Sequence, residues 1–161
     1  MNQLPPNSNI RKVLYDDLPA LKALIDTSGL FPSEFLDDMI ASYFHQDNTT
    51  EFWFTYEEKE PIAVAYFAPE RLTSGTYNLY LIAVHADYQG KSIGKSLMEF
   101  IEQFLKERGE RILLAETSGL PSFELTRAFY LKNGYTQEAR IREFYAAGED
   151  KIVFWKALSS K

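Results

Sequence analysis

Residues 77–104 constrain this chain more than any other stretch. Tyr-Asn-Leu-Tyr-Leu-Ile-Ala-Val at 77–84 is a near-continuous apolar run, which predicts a strand buried on both faces. A loop over 85–94 follows. Ile93, Leu97, Phe100, Ile101, Phe104 and Leu105 then recur at helical spacing, predicting a long amphipathic helix over 91–108, with Glu102 and Lys106 paired on its outer side. A strand that feeds through a short loop into a helix presents unpaired amides at the helix start. Gly90 and Gly94 let backbone approach a ligand closely, and Lys91 and Lys95 add positive charge to a chain whose net charge is −6. The helix dipole favours an anion there, so the segment predicts a phosphate-binding turn, with an ordinary tight strand–helix connection as the alternative.

The rest of the chain alternates in period. Residues 1–8 read as a flexible polar tail with two prolines. A short strand is expected over 10–14. A helix follows, N-capped by Asp16 or Asp17, with Pro19 in its first turn and Gly29 at its end. A second helix is expected over 31–44. Strands are expected over 50–56, 62–67 and 111–116. A helix over 123–133 would be capped by Ser122 and closed by Gly134, and strands over 135–145 and 151–156 would form a terminal hairpin. The order is β-α-α-β-β-β-α-β-α-β-β. At 161 residues this predicts one α/β (α+β) domain over 9–158 with a mixed sheet.

Composition removes several functions. Seventeen basic residues face 23 acidic ones with no basic run, which argues against nucleic acid or an anionic membrane as partner. Cysteine is absent and there are two histidines, so thiolate sites, a cysteine nucleophile and a three-histidine zinc site are excluded, and no metal is expected. No apolar stretch approaches the roughly 18 residues of a membrane span. The first ten residues lack the charged and apolar regions of a secretory leader, so a cytoplasmic location is expected.

Two kinds of anion loop compete at 89–96. Gly94-Lys95-Ser96 matches the end of a Walker P-loop, but the first glycine of that motif would fall at Gln89. The other is the acetyl-CoA pyrophosphate loop, [QR]-x-x-G-x-[GA]. Ile-Ala-Val-His-Ala-Asp-Tyr-Gln-Gly-Lys-Ser-Ile-Gly-Lys-Ser-Leu-Met at 82–98 resembles the central strand, loop and helix of the GNAT N-acetyltransferase superfamily. Thr-Arg-Ala-Phe-Tyr-Leu-Lys-Asn-Gly-Tyr at 126–135 is similar to that family's next landmark. The resemblance spans roughly 10–157. Two positions depart from the pattern. Ser92 stands where glycine is usual, which adds strain if φ is positive there. Phe123 stands where an asparagine often reaches the pantetheine arm.

The resemblance implies a mixed, mostly antiparallel sheet whose strands 77–84 and 111–116 splay apart to admit acetyl-CoA. It implies cofactor contacts from the backbone of Ile82, Ala83 and Val84, from Gln89, Gly90, Lys91, Ser92, Ile93, Gly94 and Lys95, and from Phe123. An amide near Val84 would serve the oxyanion, and Tyr130 matches the family's general acid. Tyr130 could equally be an aromatic packed under the last hairpin.

Glu116, at a strand end, is the candidate base or substrate ligand. Tyr80 could line the cleft. Asn78 occupies a position where some relatives carry a glutamate, so a base acting through water is expected. Glu34, Asp37 and Asp38 could attract an amine or form a solvated face, and His85 and His45 read as loop and surface residues. The expected function is an acetyl-CoA-dependent N-acetyltransferase acting on a primary amine of a small molecule or amino acid by direct attack in a ternary complex. Acetylation of a protein lysine or N-terminus, and a non-catalytic CoA-binding module, are the rivals. A homodimer covering the aromatic strands 50–56 and 151–156 is a further possibility, the other being that both are sheet interior.

Overall fold

The computed structural model describes residues 9–45 and 50–158; the expected tail at 1–8 lies outside the described residues. The elements are β1 Ile10–Lys12, α1 Leu18–Ser28, α2 Leu36–His45, β2 Phe52–Glu57, β3 Pro61–Pro69, β4 Thr76–Val84, α3 Ile93–Glu107, β5 Ile112–Ser118, α4 Glu124–Lys132, β6 Thr136–Ala146 and β7 Glu149–Ala157. This is the order read from the sequence. The seven strands form one sheet in the order β1-β2-β3-β4-β5-β7-β6. Every neighbouring pair is antiparallel except β4 and β5, which run parallel. Strands β2 and β7, the two aromatic segments weighed as a dimer face, are interior strands; β1 and β6 are the edges.

Several element starts differ from expectation. Asp17 precedes α1 but does not cap it. Its carboxylate instead takes the Leu14 N–H at 2.7 Å and the Arg11 guanidinium at 2.8 and 2.9 Å. Arg11 also reaches Glu57 at 3.0 Å, so this charged trio ties β1, β2 and the entry to α1 together. The helix expected over 31–44 begins as a 3-10 turn at Ser33–Phe35. Ser122 does not cap α4 either: Pro121–Phe123 form a 3-10 turn, and Arg127 holds that entry by donating to the Ser118 and Leu120 carbonyls at 2.7 and 2.9 Å. Glu102 pairs not with Lys106 but across to β7 and the start of β6, accepting from Lys156 at 2.9 Å and Tyr135 at 2.7 Å.

The sheet buries a cluster on each face. Alternation along β2 sends Phe52 and Phe54 to one side and Trp53 to the other. Phe54 meets Phe100 and Phe104 of α3 edge-on at 5.0 and 5.3 Å, and Phe67 completes this face. Leu21, Leu24, Ile25, Leu36 and Ile40 of α1 and α2 cover Trp53, Val64, Leu81 and Ala83 on the opposite face. Each buried aromatic or leucine stabilises the fold by roughly 1.5–3 kcal/mol.

Strand β4 changes phase along its length. Tyr66 pairs with Leu81 and Phe67 with Leu79, which leaves Tyr80 as an extra residue on β4. Tyr77, Leu79, Ile82 and Val84 therefore all face the α3 side, whereas Leu81 and Ala83 face α1 and α2. Burial on both faces, expected for the whole run, fails at Tyr80, which is 49% exposed.

Candidate active site

The site begins where two parallel strands part. β4 and β5 pair from Thr76↔Ile112 to Leu79↔Ala115 and no further, although β4 continues to Val84 and β5 to Ser118. The bulge at Tyr80 lies at the parting point. β5 stays paired with β7 through Ser118↔Lys151, so the opening is a notch within the sheet.

Backbone polarity in the notch follows from the pairing with β3. The His85 N–H donates to the Ile62 carbonyl at 2.8 Å. Alternation then pairs Ala83 with Val64 and turns the N–H and C=O groups of Ile82 and Val84 away from β3, into the notch. Ile82 and Val84 thus turn backbone polar groups toward the notch, whereas those of Ala83 pair with β3. The Val84 carbonyl accepts the Gln89 side-chain amide at 3.1 Å, which fastens the loop to the strand end.

The loop carries two left-handed residues, Gly90 at φ 78° and Ser92 at φ 65°. Serine at such a φ is strained, as expected for this departure from glycine. Ser92 accepts the Ser96 N–H at 3.0 Å, so the amides of Ile93, Gly94 and Lys95 form the unpaired first turn of α3. Lys91 is exposed, its ammonium 5.5 Å from the Tyr88 ring centre. The Ile93 side chain is buried in the core, so only its backbone faces the loop. Gly94 serves packing as well: a Cβ there would stand 3.1 Å from the Phe129 ring, so its absence lets α4 close on α3. Phe123 is half-buried at the start of α4 and offers no polar side chain.

On the α1 and α2 side of the sheet, polar groups converge beside the notch. Glu116 follows Ala115, the last β5 residue paired with β4. Its Oε1 accepts Lys151 at 3.0 Å and its Oε2 accepts the Asn78 amide at 2.9 Å. The same Asn78 nitrogen donates to Glu70 Oε2 at 2.6 Å. The Tyr80 hydroxyl makes a longer contact with that oxygen at 3.4 Å, and burial followed by the charge of Glu70 pushes the phenol up to about 12. Lys151 rests 3.9 Å from the centre of the Phe144 ring.

Sequence reasoning missed Glu70, Lys151 and Phe144. The available signal was Asn78, since an amide within a buried strand needs partners.

Tyr130 is buried and packs against Phe154, Tyr135 and Phe129 at 5.3–5.9 Å between ring centres. Burial, with the nearby Tyr145, holds its phenol well above the ordinary value and therefore protonated. It belongs to the cluster against which Ile82 and Val84 pack. His85 accepts the Asp87 N–H at 3.0 Å through Nδ1 and shapes the loop. His45 ends α2 and is exposed. Glu34, Asp37 and Asp38 form an exposed face on which Asp37 pairs with Lys22 at 2.7 Å.

A sheet notch with free backbone groups, entered beside a glycine-containing loop at a helix start, can hold an extended chain ending in phosphates. Residues 18–135 match the family model described as the acetyltransferase (GNAT) family. The chain belongs to that family. It is an acetyltransferase by that membership. Solved structures share the fold.

A Desulfovibrio desulfuricans protein assigned to the GNAT family superposes with a TM-score of 0.87 at 28% identity, covering 93% of this chain and 98% of that one. The ribosomal-protein-S18-alanine N-acetyltransferase of Escherichia coli gives 0.75 at 22% identity, with 94% of each chain covered. A Salmonella typhimurium structure holding acetyl-CoA gives 0.74 at 16%, again over 94% of each chain. No protein with a curated description matches by sequence. No helix among the described residues is long and apolar enough to cross a membrane.

Proposed function

We propose that the protein transfers the acetyl group of acetyl-CoA to a primary amine of a small molecule, by direct attack within a ternary complex. The observation that carries this is the notch, where pairing of β4 and β5 ends at Leu79↔Ala115 while the Ile82 N–H and C=O and the Val84 N–H point away from β3. Those groups can pair with the amides of a pantetheine arm as a further strand would. The unpaired amides of Ile93, Gly94 and Lys95, with Lys91 and Lys95, suit a pyrophosphate at the start of α3.

When bound, acetyl-CoA supplies an activated thioester carbon. The Val84 N–H is the donor that would stabilise the developing oxyanion. Glu116 faces the acceptor side, but both its oxygens already accept hydrogen bonds, so it orients the amine or an intervening water. Tyr130, held protonated by burial, is the group suited to return a proton to the departing thiolate. A cytoplasmic setting belongs to the same proposal.

The test is a thermal-shift titration with acetyl-CoA beside Mg-ATP, followed by thiol release with a panel of amines. Saturation at about a hundred times the dissociation constant stabilises the fold by about 2.7 kcal/mol. A shift with acetyl-CoA and thiol release that requires an amine are expected. A shift with Mg-ATP alone, or thiol release that no amine accelerates, would overturn the proposal.

A further inference from the structure

We infer that Glu70 binds a second positive charge on the acceptor, so that the preferred substrate is a short diamine or another amine with a cationic group a few atoms from the reacting nitrogen. The inference rests on the amine-acetylating reading above. Glu70 stands just past β3, and its N–H donates to the Thr76 carbonyl at 2.8 Å, which fixes it opposite the start of β4. Its Oε2 takes the Asn78 amide at 2.6 Å and faces the Tyr80 hydroxyl, while its Oε1 has no partner among the described residues. Glu116 differs, because Lys151 and Asn78 occupy its two oxygens. Glu70 therefore carries a carboxylate oxygen that is unspent among the described residues on this face of the notch.

A second, independent observation points to the same ligand chemistry. The Asn78 side chain lies between the two carboxylates, is 1% exposed, and its Oδ1 has no hydrogen-bond partner among the described residues. A buried acceptor left unpaired is costly, and an ammonium group brings three N–H donors. Lys151 shows how this face receives such a group. Its ammonium sits 3.0 Å from Glu116 and 3.9 Å from the Phe144 ring centre, between a carboxylate and an aromatic face. Glu70 and Glu116 reach the same Asn78 nitrogen, so a charge held at Glu70 lies a few atoms from an amine oriented beside Glu116. A substrate carboxylate in that place would meet Glu70 as a like charge.

Calorimetric titration of the CoA-saturated protein tests this with three probes of one chain length: putrescine, n-butylamine and γ-aminobutyrate. Putrescine is expected to bind about tenfold or more tightly than n-butylamine, as one charge-assisted contact allows, with γ-aminobutyrate weakest. Glu70→Gln, which keeps shape and the Asn78 contact, is expected to remove most of that difference while leaving CoA affinity unchanged. Equal affinities for the three probes, no binding of any of them, or full retention of the preference in Glu70→Gln would overturn the inference. Thiol release separates it from the reading on which it rests. Tight putrescine binding without thiol release would support the role of Glu70 and bring down the transfer reaction. Equal turnover and binding of all three would do the reverse.

Discussion

The two faces of β4 differ although one backbone builds both. On the α3 side, Tyr77, Leu79, Ile82 and Val84 meet a sealed wall of rings, with Phe54 and Phe67 wholly buried. On the other side, Asn78 and Tyr80 meet carboxylates, and Tyr80 is half exposed. The extra residue at Tyr80 separates these worlds. It lets apolar residues on both sides of the bulge reach α3, and it coincides with the loss of pairing to β5. A packed face tolerates little change of volume, whereas a polar, open face can exchange its partners for a ligand. The sealed face supplies rigidity, and the notch supplies unspent hydrogen bonds.

The contrast can be broken most severely on the sealed face. Phe67→Ala is expected to cost about 3–5 kcal/mol in denaturant unfolding, whereas Tyr80→Ala, on the open face, should cost about 1 kcal/mol or less. Equal costs would mean that Tyr80 is packed as a core residue and does not line an open cleft.

The next largest effect is expected at Asp17, the buried charge that fastens β1 to the helical side. The Arg11 hydrogen bonds hold its carboxyl below the ordinary carboxylate value. Its contribution is therefore present at neutral pH and is lost as pH falls through the depressed value. Asp17→Asn should cost about 1.5–3 kcal/mol at neutral pH, and the gap to the unsubstituted protein should close in strong acid. A gap that stays constant with pH would contradict this.

Tyr130→Phe sharpens the comparison from within the sealed face, since it removes only the hydroxyl from a packed ring. Turnover is expected to fall about tenfold or more, equivalent to roughly 1.4 kcal/mol of barrier, with acetyl-CoA affinity unchanged. Unchanged thiol release would leave Tyr130 as packing alone.

The smallest effect is expected at the loop. Ser92→Gly relieves a left-handed residue, at φ 65°, and should stabilise the fold by about 0.5–1 kcal/mol after glycine's own entropic cost. Any loss of stability would mean that the serine hydroxyl holds the loop.

Much of this was legible in the sequence because each element carries its own period. Phe52, Trp53 and Phe54 alternate as strand residues do, and Leu97, Phe100, Ile101 and Phe104 recur as a helix requires. The strand, loop and helix over 77–107 were legible because an apolar run passes through a glycine-bearing turn into residues at helical spacing. The bulge was not, since one extra residue in an apolar run leaves no mark on hydropathy; only the register with β3 reveals it. Glu70 was hidden for a related reason. It lies in a turn that reads as solvated, and only the hairpin brings it to Asn78. The helix starts at Asp17 and Ser122 misled because an ion pair from β1 and an arginine inside α4 took over the work of local caps.

The most direct measurement of the central claim is amide hydrogen exchange, residue by residue, along β4 with and without acetyl-CoA. Alternation places the Ala83 N–H on β3 and those of Ile82 and Val84 in the notch. Added acetyl-CoA should slow exchange at Ile82, Val84 and the first-turn amides of α3, and leave Ala83 as it was. Slowing at Ala83 alone, or no change at Ile82 and Val84 in a protein saturated with acetyl-CoA, would contradict the placement of the cosubstrate in the notch.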